Sequence, residues 1–426
     1  VAACLLGIRD PVLARAATLG GAAIILWLSG AVPTYATTFG LIAGIPLLLG
    51  PAHPEFGVRR VLSWAADPVM ALFFGGFVLG IAASRYGIDK FMAERALALS
   101  RHRRRRLLAF AMAATAMLSM WMSNVAAAAM MLAVLSPHLH RGEGAESFRR
   151  ALLLGVAMAA NLGGMATPIG TGPNAIAIAQ LDPWTRITFV GWMAFALPLM
   201  IGMVGLGYLL IAWFYRVEGH YQPSDIRPER LAGRGKGVVV VFLVAVTAWL
   251  TEPLHGLPAP VISIGTAAVL FGGGWLGRDD LGRIDWPTLF LIAGGLVMGQ
   301  LVERSGLVTA ATAGVRWEGI PASVRVTAFV AVAAVMGAVM SNTASAAMLI
   351  PLALNLGPPH SVAILIAIGT AFGVTFVIST PPNAMAYGHG GLSGRDFLRI
   401  GVPILVAGCL LVGLTGPAVL RWLGFP

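Results

Sequence analysis

The chain has 426 residues, 58% of them hydrophobic and 11% charged, with a mean hydropathy of +0.82, which excludes an ordinary soluble domain and indicates a polytopic membrane protein. The formal net charge of +11 does not point to nucleic acid, because the Lys and Arg residues stand between apolar runs and form no basic face with interleaved aromatics. Two cysteines, Cys4 and Cys409, near opposite ends provide neither a disulfide framework nor a thiolate metal site.

The chain opens on Val1 rather than Met, and residues 1–15 read as an N-terminal segment, the remnant of an upstream span. Apolar runs of membrane-spanning character, broken at Gly and Pro, then follow at Ala16 to Ser29, Thr38 to Leu49, Pro68 to Ser84, Leu107 to Leu135, Ala151 to Gln180 and Val190 to Tyr215. A polar stretch, 218–237, reads as a cytoplasmic linker. The second series runs Val238 to Thr251, Val261 to Leu276, Pro287 to Val302, Val326 to Leu356, Val362 to Tyr387 and Phe397 to Leu420. The two series match feature by feature. Trp27-Leu-Ser before Pro33 answers Trp249-Leu-Thr before Pro253, and Phe74-Gly-Gly-Phe-Val-Leu-Gly80 answers Ala293-Gly-Gly-Leu-Val-Met-Gly299. Residues 16–217 and 238–426 therefore read as two repeats.

The fourth run of each series is too long for one span. As a single helix, Leu107 to Leu135 would extend roughly 43 Å, against a hydrocarbon core of about 30 Å. Basic residues flank both of its ends, Arg101 to Arg106 before and His138, His140, Arg141, Arg149 and Arg150 after, so both ends are expected on the cytoplasmic face. The expected structure is a re-entrant helical hairpin over 107–137, with a second over 323–357. Each repeat then crosses five times, and an odd number inverts the second relative to the first. Threaded this way, about 20 of the 29 Lys and Arg residues lie inside. The fold expected is an all-α polytopic membrane protein of two inverted five-helix repeats, each with a re-entrant hairpin and a broken helix.

Ser123-Asn124 and Ser341-Asn342 fall at the hairpin tips. There the first half-helix ends in free carbonyls that suit a cation, and the second begins with capping side chains, free N–H groups and a positive dipole end that suit an anion. The fifth runs are broken by Thr167-Pro-Ile-Gly-Thr-Gly-Pro-Asn174 and Ser379-Thr-Pro-Pro-Asn383. Unwound backbone is tolerated at membrane depth only where it lines a site. A single Ser-Asn pair packs or caps; two pairs and two broken helices at matching places point to a binding site. The Asp67, Asp285, Glu252, Glu303 and His389 side chains fall at span boundaries and read as interfacial.

These motifs resemble the divalent anion:sodium symporter family, which includes sodium-coupled dicarboxylate, citrate and sulfate carriers, and the resemblance extends from Trp27 to the end of the chain. It implies a homodimer in the cell (inner) membrane, whose scaffold carries a mobile domain in an elevator movement. By motif position it implies substrate contacts from Ser123, Asn124, Val125, Pro173, Ser341, Asn342, Thr343 and Pro382. It implies a first sodium near Ser119, Ser123, Asn124, Gly170, Thr171 and Asn174, and a second near Ser341, Asn342, Ser379, Thr380 and Asn383. No Lys or Arg falls at the expected midplane, so bound Na+ and helix N-termini would supply the countercharge to a dianion. Two positions depart from the family pattern: Val125 replaces a Thr, and Gly337 stands where Ser119 would be mirrored, so the second sodium site is expected to be the weaker.

The expected activity is sodium-coupled import of a C4 dicarboxylate. The alternatives are a smaller dianion such as sulfate, or exchange without net sodium coupling. A sodium/proton antiporter would want an intramembrane carboxylate, and an intramembrane hydrolase a nucleophile with a base or a His-Glu-x-x-His site; neither pattern is present. A channel is harder to exclude from sequence, though broken helices in inverted repeats favour alternating access.

Overall fold

The computed structural model describes residues 10–136, 145–181, 187–221, 233–307, 310, 319–354 and 359–425. In its first half it contains α1 (Pro11–Ser29), α2 (Thr34–Leu48), α3 (Val58–Ala65), α4 (Pro68–Arg85), α5 (Ile88–Leu99), α6 (Arg104–Ser119), α7 (Asn124–Leu135), α8 (Ala145–Gly163), α9 (Gly172–Leu181) and α10 (Phe189–Phe214). The second half contains α11 (Gly233–Leu250), α12 (Ala259–Gly272), α13 (Trp286–Arg304), α14 (Ala322–Val339), α15 (Asn342–Ala353), α16 (Pro359–Thr370), α17 (Pro381–Gly388) and α18 (Gly394–Trp422).

Capping residues set where several helices start. Asp10, Asp67 and Asp285 each accept hydrogen bonds from the first turn of α1, α4 and α13, and a proline at the first helical position (Pro11, Pro68) or the second (Pro287) has a missing N–H that needs no partner there. Seven helices among the described residues are long and apolar enough to cross a membrane, namely α1, α4, α10, α11, α13, α14 and α18. The chain is a multi-pass membrane protein. Two elements escaped the sequence reading because they are too short or too charged to register as spans. One is α3, which buries Val61 and Trp64 and exposes Arg59 and Arg60; the other is α5, with Asp89, Lys90, Glu94 and Arg95. Helix α11 starts at Gly233, inside the stretch read as linker, while His138, His140 and Arg141 lie outside the described residues.

The over-long fourth runs are both helical hairpins. α6 turns at Met120–Ser123 and packs back with α7; α14 turns at Met340–Ser341 and packs back with α15. With 16 and 12 residues, α6 and α7 are about 24 and 18 Å long, each short of the hydrocarbon thickness. The fifth runs are broken as expected: a 3-10 turn at Gly164–Ala166 and irregular chain separate α8 from α9, and irregular chain with a turn at Val377–Ser379 separates α16 from α17.

Packing repeats between the halves. α4 lies along α12 as α13 lies along α2, α6 packs on α8 as α14 on α16, and α7 and α8 touch α17 as α15 and α16 touch α9. The matched motifs explain some of this. Trp27 Nε1 donates to Thr34 O (3.3 Å) and Trp249 Nε1 to Ala259 O (3.2 Å), each tying one helix end to the start of the next. The first glycine of each Gly-Gly pair admits a neighbour. A Cβ at Gly294 would overlap Thr38 Oγ1, and one at Gly75 would overlap the Ser263 carbonyl.

Candidate functional site

Each broken helix is held by the asparagine just after its break. Asn174 Nδ2 donates to Gly164 O (3.0 Å) and Thr167 O (2.8 Å), and Asn383 Nδ2 donates to Val374 O (3.0 Å) and Phe376 O (2.8 Å). Carbonyls freed by Gly and Pro are thus paired where no water is at hand. Both side chains are fully buried, so Asn174 and Asn383 stand behind the site and set the course of its backbone.

The hairpin tips reach the same end by different means. Ser123 Oγ caps α7 by accepting from Ala126 N (3.2 Å). Ser119, buried one turn earlier, lies with Oγ 2.7 Å from Asn124 Oδ1 and 2.6 Å from Ala160 O, sharing its single proton between them. At the second tip Ser341 makes no capping hydrogen bond, and the Asn342 amide lies against two carbonyls, Gly337 O (3.3 Å) and Thr370 O (3.1 Å), to which it donates with its nitrogen turned to face them. Gly337 follows from that arrangement. A Cβ there would sit 2.6 Å from Thr370 O, so position 337 is glycine because α14 and α16 meet backbone to backbone. A packing requirement thus stands beside the missing hydroxyl at Gly337. Gly337→Ser is expected to lower folded yield and melting temperature in detergent rather than the sodium concentration for half-maximal uptake. A well-folded Gly337→Ser protein with improved sodium response would reverse this.

Between tips and breaks lies a cavity of about 230 Å³ lined by Ser123, Asn124, Val125, Gly170, Thr171, Ser341, Asn342, Thr343, Ser379, Thr380 and Pro382, together with Phe73, Phe77, Asn161, Gly172, Asp285, Thr288 and Pro381. Most residues singled out in the sequence therefore meet in one place, with Ser119, Pro173, Asn174 and Asn383 outside its lining. Besides the Asp285-capped start of α13, four helices, α7, α9, α15 and α17, present their N-terminal residues to this cavity, and no Lys or Arg lines it. Converging N-termini bring positive dipole ends to one point, with free N–H groups from helices other than α17, which opens on Pro381-Pro382, and this is an environment for an anion. The volume lies below the roughly 300–1,000 Å³ of sites for drug-sized ligands and suits a small polar molecule.

Sequence reading missed Asn161, Phe73, Phe77 and Thr288, and placed Asp285 at an interface. Asn161 carried a signal, being a lone amide in the apolar run of α8; the others are brought in by packing. Asp285 caps α13, with Oδ1 accepting from Thr288 N (3.1 Å) and Oδ2 from Thr288 Oγ1 (2.7 Å), while also facing the cavity.

Phe77, Ser123 and Asp285 also line an adjoining vestibule of about 770 Å³, together with Ser84, Arg85, Asp279, Asp280 and Arg283. A smaller pocket of about 210 Å³ lies at the corresponding place in the other half, lined by Ser63, Trp64, Asp67, Ala179, Gln180, Leu296 and Gln300, and it shares no lining residue with the cavity.

Residues 23–369 match the family model described as citrate transporter. An uncharacterised transporter of Haemophilus influenzae is 29% identical over 88% of this chain and 85% of its own, and a sodium-dependent dicarboxylate transporter of Staphylococcus saprophyticus is 27% identical over 88% and 80%. The inorganic phosphate transporter PHO87 of Saccharomyces cerevisiae is 29% identical over 94% of this chain, which spans only 46% of that protein. Among solved structures, the Alcanivorax borkumensis YdaH transporter superposes with a TM-score of 0.59 at 15% identity, covering 97% of this chain and 100% of that one, a likeness of fold. The chain belongs to the citrate transporter family, a family of anion carriers related to the divalent anion:sodium symporters.

Proposed function

We propose that the protein imports a small divalent anion, a C4 dicarboxylate by first choice, coupled to Na+ through alternating access. The carrying observation is the convergence of four helix N-termini on a cavity without Lys or Arg. Such a site binds an anion only weakly by itself, and Asp285 adds a negative charge at its mouth. Cations held by tip and break oxygens would make a dianion tolerable, which is the physical basis of coupling. The large vestibule that shares residues with the cavity on one side, and the smaller pocket that shares none at the matching place on the other, support an inverted repeat caught facing the side with more basic residues, the cytoplasm. The hairpins are then re-entrant. α4 and α13 belong to a scaffold, shared by two copies in a homodimer, past which the tips and broken helices move. Glycines line that boundary: a Cβ at Gly76 would press on Ile169, and one at Gly295 on Ala347 and Ile176.

Uptake of labelled succinate, malate, citrate and sulfate into proteoliposomes tests this reading. Sodium-dependent uptake of a dicarboxylate is expected; equal uptake in sodium and in choline would replace symport by exchange. Val125 lines the cavity and offers no hydroxyl. Val125→Thr is expected to tighten dicarboxylate binding by one hydrogen bond to a charged group, about 1.5 to 3 kcal/mol. Unchanged or weaker affinity would remove position 125 from the substrate contacts.

A further inference from the structure

Asn161 lines the cavity at 1% exposure, and its Oδ1 is buried with no donor among the described residues. Its Nδ2 donates to Ala157 O (2.9 Å) and to Asn383 Oδ1 (3.0 Å), and Asn383 is in turn oriented by Val374 O and Phe376 O. This line of amides decides which way Asn161 points, because turning it over would set its oxygen against two acceptors. Oδ1 is its one unpaired polar atom, almost fully covered in the wall of the cavity, so a ligand reaches it with a small shift of that wall.

An amide oxygen repels the oxygens of a bare dianion, so its complement is either a cation or a proton donor. A desolvated cation needs several converging oxygens. The two oxygens paired with this amide, Ala157 O and Asn383 Oδ1, already accept from Nδ2. For a hydrogen bond, one acceptor suffices. We propose that Asn161 Oδ1 accepts a hydrogen bond from an O–H carried by the substrate, so that the carrier selects hydroxyl-bearing anions over hydroxyl-free ones of the same shape; this rests on the transport reading above. Two anions share that chemistry, a hydroxycarboxylate and hydrogen phosphate. At the matching position of the second half stands Thr370, whose Oγ1 donates to its own helix at Ala367 O (2.7 Å) and which does not line the cavity. Of these two positions, therefore, only the first leaves an amide oxygen without a donor.

The test is competition for uptake in proteoliposomes within matched pairs: malate against succinate, citrate against tricarballylate, hydrogen phosphate against sulfate. Wild type is expected to prefer the hydroxyl-bearing member of at least one pair by about five- to tenfold, and the pair that shows it identifies the source of the donor. In Asn161→Ala and Asn161→Thr that ratio should fall to about one. The threonine variant introduces what the second half already holds at this position, so α8 is expected to accept it. Damage to the amide line alone lowers both members together and leaves the ratio unchanged, and that result overturns the proposal. So does an unchanged ratio with a raised sodium requirement, which would give the oxygen to the cation. If uptake persists and the ratio does not move, this inference alone fails; if wild type takes up no member of any pair, the transport reading fails and the inference falls with it.

Discussion

Asn124→Ala and Asn342→Ala are each expected to abolish uptake while leaving membrane insertion and dimerisation intact. Both side chains line the cavity at the first residue of a hairpin's second helix, and both are anchored from behind, Asn124 beside Ser119 and Asn342 on Gly337 O and Thr370 O. Alanine at a tip removes the polar head and relieves no packing, so the helices should persist. One lost hydrogen bond to a charged partner lowers affinity by about 10- to 150-fold, and each amide is proposed to serve both substrate and cation. At micromolar substrate that loss reads as no transport. Near-wild-type uptake in either variant would take the tips out of the site.

A complete block is expected when a thiol reagent is attached inside the vestibule. In a background lacking Cys4 and Cys409, Ser84→Cys should react with an impermeant reagent from the cytoplasmic side, lose uptake on modification, and be slowed by substrate with sodium, which draw the carrier away from this state. Ser63→Cys, in the matching small pocket, should react from the opposite side. Because a minor conformer is populated at roughly 0.1–10%, the two faces should differ in rate on the order of tenfold or more. Labelling of both positions from one face would sink the inverted repeat.

Solvent preference and the doubled plan were legible in the sequence for a simple reason: in hydrocarbon the chain must be apolar where it spans, so every polar interruption stands out against its background. Ser123-Asn124, Ser341-Asn342 and the two Pro/Gly breaks were visible in this way, and the structure brings most of them to one cavity. The same rule hid α3 and α5, which are too short or too charged to span.

What the sequence determined alone was the membrane setting, the two matched halves and the polar positions at tips and breaks, because these follow from local composition and spacing. What only the tertiary structure decided was how those positions are used. Ser119 and Gly337 occupy matching places, yet one positions an amide through its hydroxyl and the other lets two helices touch. Asn161 and Thr370 match as well, yet one leaves a buried oxygen unpaired and the other bonds its own helix. Spacing along a helix sets which face a residue occupies, but whether its polar atoms are free depends on neighbours more than 200 positions away, such as Asn383 for Asn161.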